Sequence, residues 1–259
     1  MALELLDSHT HLDSESFDID REACIERARA NGITRILTVG AGRGLASTRG
    51  AIALAESYDW IWASAGIHPH DAGQDLDISD LKKLAEHPKV VAIGETGLDF
   101  FKNLAPIDKQ YEYFELQIEL ALAVKKPLII HSRQAGEECL KLLETKNASA
   151  VGGVFHCYAE DAAFAERLRA IGFLVSFPGT LTFKKAEALR TVCKAIPLEQ
   201  MMVETDAPFM APEPHRGKRC EPAFVLETAR CLATLKGLPL EEVAAITTSN
   251  ALKLFSTMR

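Results

Sequence analysis

Short apolar, β-branched runs alternate along this chain with longer stretches in which apolar residues recur at helical spacing. The runs are Leu3 to Leu6, Ile33 to Val39, Ile61 to Ile67, Val90 to Ile93, Pro127 to Ile130, Val151 to Phe155, Phe173 to Phe177 and Met201 to Val203, eight strand candidates. Between them the pattern predicts helices over Asp18 to Asn31, Gly44 to Tyr58, Ser79 to His87, Asp108 to Lys125, Ala135 to Lys146, Asp161 to Ile171 and Lys184 to Ile196. Asn31-Gly32 and Ile171-Gly172 place glycine where helices commonly stop. After the eighth run a loop with three prolines leads to helices from about Pro222 to Lys236 and from Leu240 to Phe255.

Strict alternation of strand and helix predicts parallel strands joined by right-handed crossovers, and eight such strands close naturally into a barrel. The expected fold is α/β, a single (β/α)8 TIM barrel covering residues 1–259 with additional C-terminal helices. An open doubly wound sheet would carry a glycine-rich phosphate loop after its first strand, and no G-x-G-x-x-G stands there. In a barrel the ends of all the strands surround one mouth.

At those ends the chain changes character. Six side chains able to bind metal stand where apolar runs give way to polar residues: His9 and His11 after strand one, Glu95 after strand four, His131 after strand five, His156 after strand six and Asp206 after strand eight. Charged or imidazole groups next to buried strands are costly without partners, and a shared divalent cation is a common reason for several to converge. Side chains alternate along a strand, so His9 and His11 point the same way. A carboxylate has two oxygens, so Glu95 can bridge two ions. Asp206 is the candidate that both binds metal and takes a proton from water, which makes Asp206 and Glu95 the expected catalytic residues. Glu204, one step deeper than Asp206, is expected to support a histidine ligand from behind. His68 is a candidate substrate contact, whereas His70 is set aside and Asp99 is assigned to orienting its loop. Cys157 is left out, because alternation should turn it opposite to His156 and away from the centre.

Composition narrows the function. With 47% hydrophobic and 25% charged residues the chain is ordinary globular protein. A formal net charge of −7 argues against a broad basic nucleic-acid face, though it leaves room for local phosphate contacts beside a metal. The six cysteines form no C-x-x-C pair, so neither a zinc knuckle nor a disulfide framework is expected. No basic-then-apolar leader and no apolar stretch of membrane-spanning length is found, so a cytoplasmic location without membrane insertion is expected, and no stable protein partner is implied. The chain lacks a G-x-S-x-G elbow and a Walker loop, which disfavours nucleophilic protein catalysis.

Together these blocks resemble the TatD family of metal-dependent deoxyribonucleases, within the amidohydrolase-like barrels. The resemblance runs over essentially the full length and is carried by Asp7-Ser8-His9-Thr10-His11-Leu12, Gly66-Ile67-His68-Pro69-His70, Gly94-Glu95-Thr96-Gly97-Leu98-Asp99, Ile130-His131-Ser132-Arg133, Phe155-His156-Cys157, Glu204-Thr205-Asp206-Ala207-Pro208 and Arg216-Gly217-Lys218-Arg219. The family's metal positions fall on the same six residues. Gln134, Ala159-Glu160 and Cys220 depart from the family's usual residues near the mouth and are expected to bear on substrate preference. The resemblance implies hydrolysis of DNA phosphodiester bonds, as an exonuclease on single-stranded or end-bound DNA, by water activated with one or two divalent ions, its proton passing to Asp206. Magnesium, manganese and zinc all suit these oxygen and imidazole ligands. Arg133, Arg216, Lys218 and Arg219 are candidate phosphate contacts. The alternative is an amide, ester or lactone hydrolase, since the same activated water attacks a carbonyl.

Overall fold

The computed structural model describes residues 3–258 apart from 75 and 103. Each predicted run forms a strand and finds a parallel neighbour. The strands are β1 (Leu5–Thr10), β2 (Ile33–Thr38), β3 (Ile61–Ala65), β4 (Val90–Asp99), β5 (Leu128–Arg133), β6 (Gly153–Phe155), β7 (Phe173–Phe177) and β8 (Met201–Val203). They lie in sequence order in one eight-stranded parallel sheet. The helices between them are α1 (Arg21–Ala30), α2 (Leu45–Glu56), α3 (Ile78–Ala85), α4 (Ile107–Val124), α5 (Gly136–Thr145), α6 (Ala162–Ala170) and α7 (Glu187–Ala195), followed by α8 (Val225–Lys236) and α9 (Leu240–Leu254). The first and last strands meet through an isolated bridge from Thr10 to Ala207 and through hydrogen bonds from His11 N to Ala207 O (2.7 Å) and Asp206 N to His9 O (2.9 Å). The result is the nearly closed TIM barrel that strand-helix alternation predicts.

Two apolar layers follow from the two-residue period of the strands. Leu5, Ile36, Ile93, Leu128, Ile130 and Phe155 belong to the large core shared with the helices. Leu6, Leu37, Val91, Ile129, Val154 and Met202 form a second cluster, joined from the C-terminal end by Ala251, Phe255 and Met258. Helix α9 also touches the strand starts, where Asn250 donates to Leu198 O and Met201 O. It therefore plugs the N-terminal end of the barrel and leaves the C-terminal end open.

Several strands run past their apolar stretches, so residues expected after the strand lie within it. β4 was expected to stop at Ile93 and β5 at Ile130, yet the ladder continues through Gly97 with His131 and Asp99 with Arg133. Sheet pairing is a backbone property, and polar side chains facing a cleft do not interrupt it. Among the places where the register slips are Asp7 to Thr10 in β1 and Ile93 to Thr96 in β4. His9 and Glu95 lie inside those slips, which are a recognised means of re-aiming side chains. Gly97, at φ +134°, permits the close approach of β5, because a Cβ there would collide with the His131 carbonyl.

Buried polar groups then fix the ends of these strands. Gln117 on α4 donates to Ile67 O (3.0 Å) and Thr96 Oγ1 (2.7 Å) and accepts from Ile67 N (2.7 Å). Gln110 on the same helix accepts from Asp99 N at 2.8 Å. Two glutamines on the inner face of one helix thereby hold the rim where β3 and β4 end. No described helix is long and apolar enough to cross a membrane.

Candidate metal centre

Glu95 stands at the middle of the open end, 2% exposed, with each carboxylate oxygen facing different histidines. Its Oε2 lies 3.5 Å from His9 Nε2 and 4.0 Å from His11 Nε2. Its Oε1 lies 2.7 Å from His156 Nε2, 2.8 Å from His131 Nδ1 and 3.2 Å from His68 Nε2. Asp206 completes one side, with Oδ1 at 3.1 Å from His11 Nε2 and 3.9 Å from His9 Nε2. The fold thus brings together all six residues singled out as candidate ligands, from five strand ends. His9, His11 and Asp206 form one group able to hold a cation, and His9, Glu95 and His156 form another that shares His9.

A divalent cation fits this set. Both ring nitrogens of His9 are buried without a hydrogen-bond partner. An unsatisfied buried polar group costs about 1–3 kcal/mol, and a cation removes that penalty. The 3.5–4.0 Å gaps around His9 and His11 are too long for good hydrogen bonds. They suit ligands of one ion, since atoms held at about 2.1 Å on a tetrahedral centre stand roughly 3.4 Å apart.

Around this centre, further groups orient the imidazoles. His11 Nδ1 meets Val39 O at 2.6 Å, which leaves Nε2 facing Asp206 and Glu95. His131 Nε2 meets Asp99 Oδ2 at 3.1 Å, which leaves Nδ1 facing Glu95. His156 Nδ1 lies 3.5 Å from Glu204 Oε1, an oxygen that also accepts from Cys157 N at 2.6 Å. Asp7 accepts from Thr205 N and Oγ1, at 2.9 and 2.6 Å, and so ties β1 to the residue before Asp206.

His68, His70 and His131 also lie close enough to share a cation. Hydrogen bonds already occupy that trio. His68 Nδ1 accepts from His70 N at 3.0 Å, so a neutral His68 carries its proton on Nε2, toward Glu95. His70 Nε2 bonds Asp99 Oδ2 at 2.7 Å. Asp99 Oδ1 accepts from the backbone of Phe101 and Lys102 at 3.0 and 2.8 Å. Asp99 thus holds the backbone of its own loop and also binds His70 and His131, whereas His70, set aside on the sequence, is brought in because the link between β4 and the loop after β3 is made in space.

The electrostatics match a cluster of opposed charges. Burial pushes the Glu95 carboxyl up, but His156, His68 and His131 outweigh it and hold it well below the usual carboxylate range. Burial opposes charge on His11, yet Asp206 and Glu95 hold its imidazole up at about 9. Burial likewise opposes charge on His156 and His131, and their carboxylate neighbours raise both. Burial pushes His68 down to about 4 and lowers His9 as well, helped at His9 by the charge of His156 stacked 3.9 Å away. Burial opposes the Asp206 charge too, and His11, His156 and His9 keep that carboxyl low.

The centre lies in a cleft of about 800 Å³ whose lining includes Arg43, Lys102, Arg133 and Phe209. Arg216, Lys218 and Arg219 are not among its lining residues. Arg219 is engaged by Asp20 Oδ1 at 2.7 Å and Ser16 O at 2.6 Å, Arg216 covers the Phe183 ring at 3.7 Å, and Lys218 is exposed. Sequence spacing could not separate these from Lys102 and Arg133, since a loop cation reads alike whether it faces an acid or a cavity; Arg43 lines the cleft but is paired with Asp13 and Glu15 at 3.0 and 3.3 Å. Cys157 needs correction: it lines the cleft, with Sγ 3.8 Å from Met210 Sδ. β6 ends at Phe155 and Cys157 has φ +50°, so strand alternation no longer governs its direction. Burial raises its thiol well above the ordinary value, so it stays protonated. Of the residues that depart from the family pattern, Ala159 lines the cleft.

The family model described as TatD related DNase matches residues 6–256. The chain belongs to the TatD family. It is 44% identical over 253 residues to the uncharacterized metal-dependent hydrolase YabD of Bacillus subtilis, covering 97% of this chain and 98% of that one. It is 34% identical over 253 residues to the 3'-5' ssDNA/RNA exonuclease TatD of a Rahnella species, covering 95% and 96%. The crystal structure of YjjV, a TatD homologue from Escherichia coli, superposes with a TM-score of 0.91 at 29% identity over 99% of both chains. This TatD-family chain is accordingly a metal-dependent hydrolase, and its histidine and carboxylate groups at the barrel mouth are able to hold the metal.

Proposed function

We propose that this protein is an exonuclease that hydrolyses phosphodiester bonds at single-stranded DNA ends. The carrying observation is Glu95, ringed by histidines on both oxygens within a cleft that also presents Lys102 and Arg133. One or two divalent ions, magnesium, manganese or zinc, held by His9, His11, Glu95, His131, His156 and Asp206 would make water more acidic and draw charge from a phosphoryl group. Asp206 is kept ionised by its histidine neighbours and so can accept the proton that the attacking water loses. Glu95 holds the two halves of the cluster in register. Arg133 presents a planar fork suited to paired phosphate oxygens. His68, a candidate substrate contact that lines the cleft, is neutral and turns its Nε2 proton toward Glu95 at 3.2 Å. The exonuclease name of the Rahnella relative supports the same substrate class.

The test is chromatography of products from end-labelled single-stranded DNA incubated with purified protein, with manganese or with chelator. Mononucleotides should form with manganese and vanish both with chelator and in His131→Ala. Intact DNA alongside hydrolysis of small amides or lactones would overturn the nuclease assignment.

A further inference from the structure

Two phenylalanines at the mouth are exposed, Phe209 at 58% and Phe101 at 55%. Phe209 lines the cleft in the loop after β8, its ring centroid 6.0 Å from that of His11. Phe101 lies in the loop after β4, and the Arg133 guanidinium sits 4.0 Å from its ring centroid. Arg133 itself lines the cleft, and Leu104 and Ile107, which follow Phe101 in the chain, are exposed as well. β4 and β8 are four strands apart in a barrel of eight, so their loops face one another across the mouth. At about 4.8 Å between strands and the usual tilt, an eight-stranded barrel is roughly 15 Å across its backbone. Phe209 and Arg133 both line the cleft that holds the candidate metal centre, and Phe101 stands behind Arg133.

We propose that Phe209 on one wall and the Phe101–Arg133 pair on the other are base-stacking subsites for the last two nucleotides of a single-stranded end. This deepens the nuclease assignment above and rests on it. Every nucleobase offers a π-face, and stacking on an aromatic ring with an arginine nearby tolerates any sequence. Lys102 and Arg133 supply the positive charge that complements the intervening phosphate, whereas Arg43 is already paired with Asp13 and Glu15 at 3.0 and 3.3 Å. Bases within a duplex already stack on their neighbours, so the two walls select splayed, unpaired ends.

The test measures binding of the manganese-loaded protein to a phosphorothioate-linked oligothymidylate that resists hydrolysis, by fluorescence anisotropy. The same oligomer with abasic residues at its last two positions serves as the comparison. Phe209→Leu and Phe101→Leu keep apolar bulk and remove the ring, and each should weaken binding of the base-bearing oligomer roughly 5- to 100-fold. The preference for bases over abasic ends should collapse with it, while Phe209→Trp keeps that preference. Both phenylalanines are exposed, so circular dichroism should show folded variants. Leucine variants that retain the wild-type preference overturn the subsites even if the protein cleaves DNA. Wild-type binding with this preference but no cleavage of ordinary DNA instead overturns the nuclease assignment. A wild-type protein that neither binds nor cleaves overturns both.

Discussion

Asp99 fixes which nitrogen of His131 faces Glu95, because Asp99 Oδ2 accepts from Nε2 and two backbone donors hold Oδ1 in place. Removing such an outer partner commonly weakens metal binding about 10- to 100-fold. Asp99→Asn should do so in a manganese titration followed by calorimetry, and unchanged affinity would mean that the His131 ring is held by packing alone. Asp206→Asn should lower kcat by at least about 100-fold with the circular dichroism spectrum intact. A variant that unfolds would show that the carboxylate serves the β1–β8 seam rather than the chemistry. Acid should oppose metal uptake. Without metal, His11 stays protonated up to about pH 9, and His131 and His156 are raised above the ordinary imidazole value. A metal ion needs their lone pairs, so binding at pH 7 should release protons and weaken as pH falls. Calorimetry in two buffers of different ionisation heat would measure the release. The six candidate ligands were legible because each stands within a few residues of the end of an apolar run. His70 was not, nor was the bond of Asp99 to His70 and His131, since these are contacts made between loops and strands in space, and the exposure of Phe209 leaves no mark in sequence pattern.

Elements set how closely those residues can meet. The eight strands and nine described helices follow the apolar pattern to within a few residues, but the pattern ends β4 at Ile93, whereas the backbone ladder carries it to Asp99. Hydrophobicity records which side chains are buried among apolar neighbours. It does not record pairing that continues beneath polar ones. The glycines of β4 do carry that information, because a residue without Cβ between two strands marks a close approach. Gly97→Ala should destabilise the protein by about 2–4 kcal/mol, from the strained φ and the collision with the His131 backbone. Urea denaturation measures the loss, and metal occupancy should fall with it as β4 and β5 separate. A neutral substitution would show that the two strands can part without disturbing the site.

At the scale of the whole molecule, metal and folding are coupled. His9 and Asp206 lie near opposite ends of the chain and meet only in the finished barrel. Manganese at about 100 times its dissociation constant should add about 2.7 kcal/mol of stability. For a chain of this size that raises the melting temperature by roughly 5–10 °C, and chelator should reverse the shift. A melting temperature indifferent to manganese would count against a site preformed in the native state. The line along which the barrel shuts also differs from the other strand contacts. Between β1 and β8 the described residues show an isolated bridge in place of a continuous ladder, and His9, His11 and Asp206 straddle that line. An ion there would act as a clasp on the weakest join of the cylinder. Stripping it should quicken amide exchange first in the opening and closing strands, so the catalyst would also serve as the rivet that keeps the container shut.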